Sequence, residues 1–358
     1  MNKLEKIILT GTALIALGAG LVYAFKKDYH TTPTEPTPIV TPAPKFTQEP
    51  TITLTPTPAL SQYQKQALEE IAVIRQKEPG LADLLAVQEW ARDEGMLRSA
   101  GLKYLTLINY SISENNYTID SLITGTNNTT IFANTKDAFK RTALLQVVKS
   151  SIPVIADFLS VRYERSLLLI DFDASISGAA GGTMLIKADD WTLRNKTHEA
   201  AHEVYEGGTF VPYWLQEGVA EFAGIYAVNK LPETLPNLAS MLASPDWKGK
   251  DKSIPNFYEG YKSALDLINK ADPSEVAGST SQGYVFLYEF RELVGHKGFA
   301  EAMGHLYNVR IVKGATDRNA KLTNKDIEAI LAQKVPVDKL PAFKQLYQNR
   351  IYNLQTTK

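Results

Sequence analysis

The sequence predicts an α+β fold: a small mixed sheet packed on an HExxH helix, followed by a mainly helical C-terminal half. Two observations carry this expectation. Arg165 to Asp173 and Thr183 to Ala188 are short, dense apolar runs of buried-strand character, parted by a Gly-rich turn and set directly before a helical segment. Elsewhere apolar residues recur at helical spacing, over 62–90, 137–159 and 211–227.

Ahead of the folded part, Ile7 to Phe25 is an unbroken stretch of apolar and small residues between Lys3 and Lys6 on one side and Lys26 and Lys27 on the other. As a helix it spans about 28 Å, close to the thickness of a bilayer core. The expectation is a single-pass N-terminal anchor in the cell membrane, or, if cleavage follows Ala24, a signal segment and a secreted protein. Thr31 to Pro58 then holds eight prolines and ten threonines with almost nothing apolar to pack, which makes a stiff extended spacer suited to the extracytoplasmic side. The chain thus divides into an anchor or signal at 1–27, a Thr/Pro-rich linker at 28–59 and a folded domain at 60–358. Within the last, 60–160 reads as mainly helical, 161–227 as the core that carries the chemistry and 228–358 as helical.

From Gln62, Ala67, Ile71 and Ile74 mark one face of a helix that Pro79-Gly80 breaks, and Leu81, Leu84, Leu85 and Trp90 resume it as a helical hairpin. Residues 102–133 mix apolar positions with Ser, Thr and Asn and read as short strands and turns. Asp137 to Leu159 is helical with an expected kink at Pro153. A net charge of -1 with no excess of Lys or Arg gives nucleic acid no reason to bind. With no cysteine, disulfides, thiolate catalysis and Cys-ligated metals are excluded, so any metal must use His and carboxylate ligands.

The chain has only five histidines, and two of them stand in Thr197-His198-Glu199-Ala200-Ala201-His202, within a helical segment from about Thr192 to Glu206 that Gly207-Gly208 ends. At i and i+4 the two imidazoles share a face and can reach one zinc ion, while Glu199 can lean toward a water bound there. A catalytic zinc site needs a third protein ligand, and Val211 to Ala227 is a second helix that places Glu217 and Glu221 one turn apart. His296, in Val294-Gly295-His296-Lys297-Gly298, and His305 read as structural.

Trp214-Leu215-Gln216-Glu217-Gly218-Val219-Ala220 resembles the second motif of the gluzincin metallopeptidases, the peptidase MA-like superfamily of thermolysin and the aminopeptidase N-like enzymes. The resemblance implies Glu217 as third ligand and Glu221 as the carboxylate that orients a ligand histidine through its other ring nitrogen. The count along the chain gives the alternative: fourteen residues separate His202 from Glu217, against eighteen in aminopeptidase N-like enzymes, and eighteen separate His202 from Glu221.

The same resemblance implies an edge strand that pairs with the substrate backbone, placed here on Gly182, Thr183, Met184, Leu185 and Ile186 within the run to Ala188. Where aminopeptidase N-like enzymes carry a Glu for the free amino terminus, this chain has Leu185, which argues for an endopeptidase over an aminopeptidase. Their oxyanion-stabilising Tyr, three residues before a Gly, corresponds to Thr280, with Tyr284 as the substitute candidate. The expected function is that of a membrane-tethered or secreted zinc metallopeptidase using one Zn2+, acting on a peptide or protein substrate, with Glu199 as general base. The alternative is a stalked surface protein whose peptidase-like domain only binds a partner.

Overall fold

A computed structural model describes residues 61–87, 98–180, 182–205, 211–247, 256–271, 276, 278–316 and 321–353. The expected anchor and linker lie outside the described residues, as do Trp90 and Gly207-Gly208. Among the described residues no helix is long and apolar enough to cross a membrane.

The chain opens with α1 (Gln62–Lys77), capped by Ser61 in a reciprocal pair with Gln64, and α2 (Pro79–Ala86), which starts on the proline that cannot continue α1. Next comes α3 (Arg98–Ser113), where the sequence reads as strands and turns. Leu105, Ile108 and Ile112 recur at helical spacing and are all buried. The polar residues between them satisfy themselves on the helix: Ser111 Oγ donates to the Leu107 carbonyl at 2.8 Å, and Asn109 Nδ2 donates across to the Glu70 carbonyl at 3.1 Å. Packing thus overrides their low helix propensity.

A hairpin follows, β1 (Tyr117–Thr124) and β2 (Asn127–Asn134), turning at Gly125 with φ +60°. Helix α4 (Ala138–Phe158), capped by Asp137, runs through Pro153 and returns the chain to β3 (Leu167–Ala174), parallel to β2. Then β4 (Gly178–Ala180) folds back antiparallel on β5 (Thr183–Lys187), itself parallel to β3. The five-stranded mixed sheet has the order β1-β2-β3-β5-β4.

Both faces of this sheet are covered, which is why β3 is apolar almost throughout instead of alternating. Leu167 and Leu169 face one cluster with α1, α2 and α3, while Leu168, Ile170 and Phe172 join the larger core on the other side. That core continues through α5 (Leu193–Tyr205), α6 (Tyr213–Thr234), α7 (Leu238–Ala243) and the helices that complete the chain. These are α8 (Phe257–Lys270), α9 (Thr280–Thr316, interrupted at Gly295 with φ +79°), α10 (Asn324–Ala332) and α11 (Leu340–Tyr347).

The strand order corrects one expectation. Thr183 to Ala188 is no edge: Leu185 is registered against Asp171 of β3 on one side and Gly178 of β4 on the other. The edge on this side is β4, the three small residues Gly178, Ala179 and Ala180. They carry no hydrophobic alternation, so nothing in the sequence announces them as a strand.

Candidate metal centre

The helix that carries the two histidines begins where Asp190 and Thr192 satisfy its first turn. Asp190 Oδ1 accepts from the Thr192 N–H at 2.8 Å and Thr192 Oγ1 from the Asn195 N–H at 3.3 Å. Lys196, fully buried, donates to the Asp190 carbonyl at 2.6 Å and pairs with its carboxylate at 3.0 Å. Burial pulls its ammonium down to about 8 against the attraction of Asp190.

Helix α6 crosses α5 so closely that a Cβ on Gly224 would meet the Cα of His198 at 2.9 Å. A parallel device holds α6 to α9: a Cβ on Gly218 would meet the Cα of Gly283 at 2.5 Å, and one on Gly283 would meet the Trp214 carbonyl oxygen at 1.9 Å. Backbone thus touches backbone on both sides of the segment that presents Glu217 and Glu221.

Between α5 and α6, His198 Nε2, His202 Nε2 and Glu217 Oε2 form a small triangle. The two ring nitrogens are 3.1 Å apart, and each lies 3.5 Å from the carboxylate oxygen. Ligands at about 2.05 Å on a tetrahedral zinc stand about 3.3 Å from one another. The triangle brackets that value, and the donor set of two imidazoles and a carboxylate, without cysteine, suits the same ion. The three residues fit a metal ion.

Glu221 sits behind the triangle. Its Oε2 lies 3.1 Å from Nδ1 of His198, and its Oε1 accepts from Arg194 Nε at 2.7 Å. This carboxylate therefore holds the ring nitrogen of His198 that points away from the triangle and leaves Nε2 to it. Arg194 lies four residues before His198 on the same helix, a spacing in the sequence that marks it as a neighbour of the site although the sequence reading passed over it.

The electrostatics follow from these contacts. Burial alone would lower the His198 imidazole, but its hydrogen bonds to Glu217 and Glu221 win and hold it up at about 9. Burial opposes the ionisation of Glu217, yet the two histidines bring it down to about 2. Glu221 is likewise brought below its usual range, by His198 and Arg194 against burial. Glu199 goes the other way: burial raises it, against the pull of His198 and His202. Its Oε2 is buried without a hydrogen-bond partner. A carboxyl kept basic and unpartnered beside a metal-ligand cluster is placed to take a proton from something that binds there.

A cleft of about 610 Å³ adjoins the cluster, lined by His198, Arg194, Glu221, Glu259, Thr280 and Tyr284 among others. The hydroxyl of Tyr284 is already engaged. The residue is 1% exposed, its O–H donates to the Phe257 carbonyl at 2.9 Å, and its ring stands edge-on to Phe222. The catalytic part read for it from the sequence is therefore corrected: its one proton is already committed and its ring fills core. His296 packs against the stacked pair of Phe158 and Tyr226, and His305 Nε2 meets Gln333 Oε1 at 3.1 Å, so neither joins the cluster.

No known sequence family and no curated protein matches the chain. Among solved structures it is similar to an M1 zinc metallopeptidase from Deinococcus radiodurans, at 14% identity and a TM-score of 0.42, over 65% of this chain and 50% of that one. A two-domain M1 zinc metallopeptidase mutant bound to L-tryptophan matches at 13% identity and a TM-score of 0.45, over 64% and 51%. A mutant of the Deinococcus radiodurans enzyme bound to a Tyr-Ser-Ala substrate matches at 13% identity and 0.44, over 65% and 52%. The chain spans about half the length of these structures. A likeness of this strength fixes neither family nor activity.

Proposed function

We propose that this chain is a zinc-dependent metallopeptidase, with His198, His202 and Glu217 as metal ligands and Glu199 as general base. The observation that carries the reading is the triangle of donor atoms at 3.1, 3.5 and 3.5 Å beside the buried, unpartnered carboxylate oxygen of Glu199. A zinc ion held there supplies a Lewis acid that brings the pKa of a water toward neutrality.

The chain's own residues then do the rest. Glu199 takes the proton of the attacking water as its oxygen bonds to the scissile carbonyl carbon, and passes that proton to the leaving amine as the C–N bond breaks. Glu221, held by Arg194, keeps His198 in the tautomer that directs Nε2 at the metal. Glu217 belongs in the ligand set because its oxygen is equidistant from the two imidazoles, whereas Glu221 meets the other nitrogen of His198.

The substrate strand belongs on the outer side of β4, next to α5, where main-chain groups can pair without reading side chains. Gly178, Ala179 and Ala180 carry no carboxylate to hold a free amino terminus, which favours an endopeptidase. Ile7 to Phe25 and the Thr/Pro-rich segment are consistent with a tethered, extracytoplasmic domain.

Glu199→Gln tests the reading. The variant should retain zinc and lose cleavage of an unfolded protein substrate by about 100-fold or more. Wild-type protein that takes up no zinc overturns the proposal, and zinc-loaded wild type that cuts no peptide leaves a binding protein in its place.

A further inference from the structure

The residue after His202 takes no part in the metal cluster. Glu203 is 1% exposed, and its carboxylate gathers donors from two other parts of the chain. Oε1 accepts from Tyr163 O–H at 3.3 Å and from Arg165 Nε at 3.2 Å, both in the segment between α4 and β3. Oε2 accepts from the Gly182 N–H at 3.1 Å, between β4 and β5. A buried ion pair returns little net stability, because desolvation takes back most of the attraction; what it can hold is one geometry against others.

Gly182 is the point held here. Its carbonyl accepts from the Leu169 N–H of β3 at 2.8 Å while its N–H goes to Glu203, so the residue is pinned to the sheet on one side and to α5 on the other. Its φ of +83° favours glycine, and an added Cβ would meet the Leu167 carbonyl oxygen at 3.0 Å. Only residues 181 and 182 separate Ala180 of β4 from its partner Thr183 of β5, so the place of Gly182 fixes the place of β4.

We propose that Glu203 is a positioning residue for the substrate: it sets β4, the edge on which an extended peptide pairs, against the helix that carries His198 and His202. The inference rests on the peptidase reading and on β4 as the substrate edge. Main-chain pairing along β4 contributes to ground state and transition state alike, so loosening the edge raises KM and leaves kcat and the metal ligands largely alone.

Glu203→Gln is the direct test, because the amide keeps the size of the side chain and one acceptor but turns the other oxygen into a donor. The orientation that keeps the charged Arg165 as partner sets the new N–H groups against the Gly182 N–H. In the zinc-stripped chain the Gly182 amide should then exchange with solvent at least about tenfold faster than in wild type. In the zinc-loaded chain, KM for an extended fluorogenic peptide should rise at least about fivefold, with kcat and zinc affinity within about twofold of wild type. Tyr163→Phe removes a donor from Oε1 and leaves the link to Gly182, so it should leave both KM and the exchange of Gly182 unchanged. Gly182→Ala disturbs the same point without touching Glu203; it should raise KM in the same way, and it carries the test if Glu203→Gln does not fold. Active wild type with unchanged KM in Glu203→Gln and Gly182→Ala overturns this inference alone, as does an equal rise in Tyr163→Phe. Zinc-loaded wild type that cuts no peptide overturns the peptidase reading, and the substrate role of Glu203 falls with it.

Discussion

Gly283→Ala is the substitution that most directly probes how the scaffold sets the metal cluster. The added Cβ would lie 1.9 Å from the Trp214 carbonyl oxygen and 2.7 Å from the Cα of Gly218, both backbone atoms that no rotamer change can move aside. Ordinary contact begins at 3.4 Å, so α6 and α9 must part there by about 1.5 Å. Gly218 is the residue after Glu217, and metal-ligand distances tolerate only about 0.2 Å, so the displacement is several times what the triangle can absorb. Overpacking of this kind costs about 1–3 kcal/mol, or roughly 2–10 °C in unfolding midpoint for a domain of this size. Zinc affinity should fall at least about tenfold in a competition titration with a chromogenic chelator. Gly80→Ala is the control: it lies in α2 with nothing within 4 Å of the new Cβ and should leave the midpoint unchanged or slightly raised. A Gly283→Ala protein with wild-type midpoint and wild-type zinc affinity would refute the argument that the backbone contact between α6 and α9 holds Glu217 in place.

Three other predictions concern the site and the layer beneath it. Glu217→Gln should cost about 100-fold or more in zinc affinity and Glu221→Gln about ten- to 100-fold, measured against the same chelator; the reverse order would make Glu221 the ligand. His198 is held up at about 9, so in the metal-free protein at pH 7 it is protonated, and zinc must expel that proton to bind. Affinity should therefore rise about tenfold per pH unit between pH 6 and 8 and flatten beyond 9, and calorimetry in buffers of different ionisation enthalpy should count about one proton released; a flat profile sinks this account. Ile108→Ala, at a 2% exposed position between α3 and the sheet, should cost about 2–5 kcal/mol in urea unfolding, with one transition if the N-terminal helices share the cooperative core.

What could be read from the sequence depended on whether the deciding interaction was local. The facing of His198 and His202 is one turn of one helix, and the strand character of 165–173 and 183–188 lies in a few consecutive apolar residues, so both are legible. Helix α3 was misread because Ser111 and Asn109 look like breakers until their hydrogen bonds to carbonyls are seen. The edge position went to β5 because β4 is three small residues long, and only the register of Leu185 between Asp171 and Gly178 reveals the strand beyond it. Glu203 and Arg165 meet across 38 positions of chain, and Arg310 meets Tyr205 across more than 100, so no spacing rule reaches them. Tyr284 is singled out by its neighbourhood in sequence, while the Phe257 carbonyl that accepts its hydrogen bond belongs to another helix.

The outer side of β4 also bears on the chain's own tail. A sheet edge that pairs through main-chain groups is indifferent to sequence and would accept any extended segment held near it, including one tethered to the same molecule. In Thr31 to Pro58 eight prolines lack the N–H groups a ladder needs, and none of its stretches free of proline exceeds five residues. A sequence of that composition is a poor partner for an open edge, so a chain that cleaves peptides as proposed would have in it a poor substrate of its own.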